Sequence, residues 1–250
     1  MALDTFDRYK NNPYLSPIST GTLEKIGGLC GLSDSSAVID VTCGKGGAAL
    51  TLAEKFRCIV TGVEARANFA EEARRRAVFR DLDHFVNIVD AGPDHLPFDD
   101  YYFDLALRVG QTVPPASRET VAELSRIVRP GGWIALSEAV WKSGPQAAPG
   151  PAADEWPREF ASNRMAGMEE RITEFREAGY AVDLAELESD TSWEHYYAPQ
   201  AKAILDNRRE YNGSSEAQST LDLWQKELHF YHTGGGKDSL GYACFLLRCP

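Results

Sequence analysis

Short apolar runs alternate with longer amphipathic stretches along the first three-fifths of the chain. Ala37, Val38, Ile39 and Val41 read as a buried strand interrupted by one acid, Asp40, and ending at a glycine-rich turn, TCGKGG. Ala48 to Ala53 then favour a helix. The pattern predicts strand 37–42, helix 47–56, strand 58–63, helix 67–80, strand 84–89, strand 102–107, helix 115–128 and strand 132–138. Alternation of this kind predicts an α/β fold, a doubly wound parallel sheet whose ligands gather at the carboxyl ends of its strands. Beyond Ala139 the composition shifts to WKSGPQAAPGPAADEWP, which predicts a long loop over 139–160 leaving the carboxyl edge as a lid. Phe160 to Ala178 reads as an amphipathic helix, Tyr180 to Leu187 as a sixth strand and Ser239 to Arg248 as the last. Between the last two lie about fifty residues, 189–237, with helical spacing in APQAKAILDNRREY and STLDLWQKELHFYH. They predict a helical insertion over the active site.

The glycine turn is the candidate ligand cradle, because backbone N–H groups at a helix N-terminus meet a ligand closely where no Cβ intervenes. Gly44-x-Gly46-x-x-Ala49 satisfies the dinucleotide fingerprint, and Glu64 follows at roughly the 20-residue distance that fingerprint expects. A nicotinamide-dependent oxidoreductase is therefore one reading, and a cofactor-binding protein without catalysis is another. Asp40 weighs against a diphosphate, since a carboxylate at the strand end repels phosphate and suits a cationic amino-acid group. Glu64, at the end of the second strand, suits two ribose hydroxyls. Asp90 with the free N–H of Ala91 suits an adenine edge. Lys45, inside the turn, reads as a solvated charge, and Arg74-Arg75-Arg76 as a solvated helix face paired with Glu71 and Glu72.

Taken in order, these motifs resemble class I S-adenosylmethionine-dependent methyltransferases of the bacterial small-molecule type. The resemblance implies a Rossmann-like seven-stranded sheet with its last strand antiparallel and helices on both faces, in one domain spanning 1–250. It implies an enzyme that uses S-adenosyl-L-methionine, leaves S-adenosyl-L-homocysteine, and transfers the methyl to a small molecule by SN2 displacement; the cysteine pattern, which suits reduced thiols, predicts a cytoplasmic location. The cofactor roles fall on Asp40, Thr42, Gly44, Gly46, Glu64, Ala65, Asp90, Ala91 and Arg108; Thr42 stands where the family more often has glycine. Arg108 also suits an acidic substrate or a neighbouring carboxylate. Tyr14, Trp141, Trp193, Tyr196 and Tyr197 are substrate candidates, although an aromatic stripe at helical spacing equally suits core packing. Tyr9 joins Tyr14 as a residue of an N-terminal segment able to fold over the cofactor. Glu138 and His195 are the candidate bases.

The bulk properties narrow the partners. With 26 Lys+Arg against 37 Asp+Glu, the net charge of −11 disfavours nucleic acid. Five cysteines without CxxC spacing suit reduced thiols. No window approaches the ~20 apolar residues of a membrane span. His229-x-x-His232 lacks the Glu or Cys company of a metal site, so no metal is expected.

Overall fold

A computed structural model describes residues 3–93, 96–110, 117–143 and 165–250. In chain order the elements are α1 (Thr5–Tyr9), α2 (Thr20–Leu29), β1 (Ala37–Val41), α3 (Gly47–Phe56), β2 (Ile59–Val63), α4 (Ala67–Phe79), β3 (Val86–Val89) and β4 (Phe103–Arg108). They continue with α5 (Arg118–Ile127), β5 (Val128–Trp141), α6 (Met168–Glu177), β6 (Ala181–Leu187), α7 (Asp190–Glu210), α8 (Ser215–Thr233), α9 (Gly236–Ser239) and β7 (Leu240–Arg248). The seven strands form one sheet ordered β3-β2-β1-β4-β5-β7-β6. β7 runs antiparallel to both β5 and β6, while β1 to β5 pair in parallel. The dinucleotide-binding order is 3-2-1-4-5-6. The insertion of an antiparallel β7 therefore departs from the oxidoreductase reading and matches the seven-stranded expectation.

Each face of the sheet carries its own core, as strand alternation requires. Val38, Val60, Leu105 and Leu107 pack with α2, α3, α4, α7 and α8 on one face. Ile39, Ala106, Ile134 and Phe245 pack with α5 and α6 on the other. All five cysteines are buried free thiols, and burial raises Cys58 to about 11 and Cys30 to about 12.

Several elements differ from the sequence reading: α1 and α9 are additional short helices, and α6 begins at Met168 where the reading has helix from Phe160. β5 reaches from Val128 to Trp141, longer than 132–138, because β7 pairs with it continuously from Trp133↔Arg248 to Trp141↔Leu240. The Pro-Gly-Gly segment is absorbed as an irregularity where the register with β4 jumps from Phe103↔Val128 to Leu105↔Trp133. Ala139 to Trp141 are thus strand; the remainder of the expected lid, from 144 on, lies outside the described residues. Helix α2 was not expected at all, since TGTLEKIGGL carries three glycines. Ser19 caps it through its hydroxyl, which accepts from the Thr22 N–H, and Gly27 lets it press against the Phe56 ring of α3.

The two long helices at 190–210 and 215–233 dock onto the N-terminus through a buried polar cluster. Arg8 donates from Nη2 to Glu227 at 2.6 Å and from Nε to Gln200 at 2.6 Å. Tyr197 donates its hydroxyl to the other Glu227 oxygen at 3.2 Å. Arg8 and Glu227 are 7% and 1% exposed, so removing one charge strands its partner in a dry site. Arg8→Met is expected to cost about 3 kcal/mol or more in denaturant unfolding, and Arg8→Met combined with Glu227→Met to recover most of that loss. Equal losses in the single and double variants would show that the pair contributes through packing instead.

Candidate functional site

The carboxyl ends of β1, β2 and β4 converge on a cleft of about 450 Å³ lined by Thr5, Tyr9, Leu15, Thr42, Glu64, Ala65, Arg66, Pro93 and Gly110. Beside it, beneath residues 13–18, a smaller hollow of about 20 Å³ is bounded by Asp40, Thr42, Cys43, Gly47, Val109 and Gly110, among others. Leu15, Thr42 and Gly110 form the wall common to both. Gly44 and Gly46 hold positive φ values of 57° and 73°, and Gly46 caps α3. Thr42 also has positive φ, at 61°, a conformation that costs an L-residue roughly 1–2 kcal/mol; its hydroxyl donates to the Val41 carbonyl at 2.5 Å. This accounts for glycine being the commoner choice at the position.

Two acids flank the turn. Asp40 is 1% exposed and accepts the Ala49 N–H of the first turn of α3 at 3.2 Å. Burial raises its carboxyl to about 7; the Ala49 bond lowers it and the nearby Glu64 charge raises it further. Glu64 accepts the Gly44 N–H at 2.9 Å, and Arg66 grips the same carboxylate from Nε at 2.8 Å and Nη2 at 3.2 Å. Both acids are thus oriented by the turn that would meet a ligand.

A strap formed by residues 9–19 crosses directly over this turn. A Cβ on Gly47 would stand 2.6 Å from Tyr14 Cδ1 and 2.7 Å from the Pro13 carbonyl, and one on Gly44 would strike Leu15. Tyr14 anchors the strap through hydroxyl contacts of 2.8 Å with both Thr20 and Thr51. Ser16 donates to the Val109 carbonyl at 2.8 Å, and Asn12 to the Tyr196 carbonyl at 2.8 Å. Lys45 is only 3% exposed, contrary to the solvated reading: its ammonium donates to the carbonyls of Tyr9 at 2.5 Å and Lys10 at 3.1 Å. Burial, with Arg76 nearby, lowers it to about 8. The arginine triplet divides likewise. Arg75 pairs with Glu72 as expected, whereas Arg76 donates to the Pro13 and Lys45 carbonyls and Arg74 to Asp90.

The remaining candidates separate into those near the cleft and those away from it. Asp90 is exposed and ion-paired with Arg74 at 2.8 Å, and Ala91 packs toward the second core; Pro93, two residues on, is the one that lines the cleft. Arg108 is buried at the end of β4, on the sheet face opposite Val109. Glu138 is not a loose acid ready to act as a base: it is 3% exposed and held by Arg171 of α6 at 2.5 Å. His195 is exposed on α7 and faces a separate groove with Ser192, Tyr196 and strap residues Pro13 to Gly21, outside the main cleft. Trp193 and Tyr197 are corrected to core residues. Trp193 is stacked on Tyr231 at 4.9 Å and on Tyr197 at 5.7 Å, and both candidates are at most 2% exposed. Trp141 packs beside Phe230 and Leu240 at the end of β5. Tyr196 alone of the insertion aromatics is one bond from the cleft, its hydroxyl 2.9 Å from that of Tyr9. Among the described residues no cluster of His, Cys, Asp and Glu could hold a metal, and no helix is long and apolar enough to cross a membrane.

Comparison with known proteins fits this geometry. Residues 38–132, from β1 into β5, match a family model described as a methyltransferase domain. The 27-O-demethylrifamycin SV methyltransferase of Amycolatopsis mediterranei is 27% identical over 242 residues, 94% of this chain and 85% of its own. Sarcosine/dimethylglycine N-methyltransferase of Halorhodospira halochloris is 32% identical over 120 residues, 47% of this chain and 43% of its own, so the chain matches less than half that relative's length. Among solved structures, a SAM-dependent methyltransferase from Thiobacillus denitrificans in complex with S-adenosyl-L-homocysteine shares the fold over 100% of both chains, with a TM-score of 0.84 at 21% identity.

The buried Asp40 gives the site a pH signature. The folded chain keeps this proton to about pH 7, whereas an unfolded aspartate releases it near 3.8. The native state then binds more protons across that window, and its contribution to stability falls as pH rises from about 4 to about 7. Asp40→Asn is expected to flatten that loss in thermal melts of the unliganded chain; an unchanged slope would assign the titration to another group.

Proposed function

We propose that this chain is a class I S-adenosylmethionine-dependent methyltransferase that transfers a methyl group to a small-molecule acceptor, a reading supported by its domain match and its sheet order. The observation that carries the reading is a buried carboxylate, Asp40, set against a glycine turn at a helix N-terminus and bounding the small hollow, with a second carboxylate, Glu64, lining the adjoining cleft across Thr42. The residues suit S-adenosylmethionine: Asp40 would receive its cationic amino-acid end, Gly44 and Gly46 would shape the turn beside it through their positive φ, and Glu64 would accept its ribose hydroxyls. Thr42, Ala65 and Pro93 would complete the wall. When bound, the cofactor supplies a methyl already activated on a sulfonium, with a neutral thioether as leaving group.

The chain's own contribution is then orientation and exclusion of water. The strap closes the turn side, Tyr9 and Leu15 cover the cleft, and the buried Tyr9–Tyr196 contact fixes that cover against α7. Neither Glu138, engaged by Arg171, nor His195, in its separate groove, is assigned proton transfer. A small acceptor fits a cleft closed in this way, and the named acceptors of the two relatives support the same class. The oxidoreductase reading has no comparable support, since a diphosphate would face the Asp40 carboxylate.

Calorimetry with S-adenosylhomocysteine and with NADH tests the assignment. Tight binding of the former and none of the latter is expected, and the reverse would overturn it. Glu64→Ala is expected to weaken S-adenosylhomocysteine binding roughly tenfold to a hundredfold, the loss of charge-assisted hydrogen bonds of about 1.5–3 kcal/mol. Because the ligand's ammonium favours ionised Asp40, affinity should rise as pH increases through about 7, and Asp40→Asn should abolish that rise.

A further inference from the structure

We propose that Lys45 is a positioning residue for cofactor retention: its ammonium fastens the N-terminal strap across the glycine turn, so that strap closure holds the ligand in the cleft. The inference rests on the proposed cofactor site. Lys45 stands between Gly44 and Gly46, the two glycines that shape the turn, yet its own side chain leaves the turn and ends on the carbonyls of Tyr9 and Lys10. Those carbonyls close the short helix α1 and have no partner within it, as helix ends require. An ammonium at 3% exposure is tolerable only where its donors are satisfied, and the strap supplies the acceptors.

The tie is doubled from the other direction. Arg76 of α4 donates to the Lys45 carbonyl at 2.8 Å and to the Pro13 carbonyl at 3.1 Å, joining turn and strap through one guanidinium. Strap and turn both border the cleft. Thr5, Tyr9 and Leu15 line it from the N-terminal segment, and Thr42, Glu64 and Ala65 from the strand ends. Leu15 packs against Gly44 and Tyr14 against Gly47, so the strap lies on the turn while its residues Tyr9 and Leu15 border the cleft. Lifting the strap breaks the Lys45 bonds, and re-forming them closes the cleft.

The test uses the full chain with Lys45→Met and Lys45→Arg. Hydrogen exchange of the amides of residues 5–16, without ligand, reads the tie, and stopped-flow dissociation of S-adenosylhomocysteine reads retention. In Lys45→Met, exchange of those amides is expected to quicken about tenfold or more while β1 and β4 stay protected, and dissociation to quicken by a similar factor. Lys45→Arg should restore part of both. Unchanged strap exchange, exchange raised equally across the sheet, or a loosened strap with unchanged dissociation would each overturn the proposal. Failure of the wild-type chain to bind S-adenosylhomocysteine would instead overturn the cofactor reading, with the exchange measurement still reporting on the tie.

Discussion

Close backbone approach at the glycine turn is the constraint on which the rest of the carboxyl edge depends. Gly44 and Gly47 present bare backbone to Leu15, Tyr14 and Pro13, and a methyl group at either position would force the strap outward. The same turn orients both acids, Asp40 through the Ala49 N–H and Glu64 through the Gly44 N–H. A single local geometry thereby sets the helix start, the charge pattern of the cleft and the position of its cover. Each of these would shift if the turn relaxed.

The polar network at the N-terminus extends that geometry outward. Arg8, Gln200, Glu227 and Tyr197 join α1 to α7 and α8, and Tyr9 meets Tyr196 beside them. Because α1 also supplies Thr5 and Tyr9 to the cleft, the helical insertion acts on the cleft through α1. Its aromatic residues, Trp193, Tyr197 and Tyr231 foremost, complete a hydrophobic core. Their stacking makes α7 and α8 a stiff support for the cover.

The strand–turn–helix at the carboxyl edge is legible in the sequence because it depends on local pattern: an apolar strand, an acid at its end, a run of glycines, and a second acid after the next strand. The parallel run β1 to β5 follows from the same alternation, while the antiparallel β7 is what the family resemblance implies. What sequence reading missed depends on contacts between distant segments. Lys45 carries no sign of burial in CGKGG, since its acceptors lie 36 and 35 positions away. Glu138 was read as a candidate base without knowledge of Arg171, 33 positions on. Trp193 and Tyr197 stand at the start of the insertion, where a substrate-facing and a core position share one helical spacing; only the placement of Tyr231 and Tyr242 distinguishes them. Helix α2 was hidden by its own glycines, one of which serves to admit Phe56.

The burial of all five thiols has a practical consequence. With Cys30, Cys43, Cys58, Cys244 and Cys249 enclosed and held protonated at neutral pH, none presents a thiolate to alkylating reagents or oxidants at the surface. A single engineered cysteine on the outer side of the strap would therefore accept a fluorophore selectively, giving an optical gauge of strap movement in an otherwise native background.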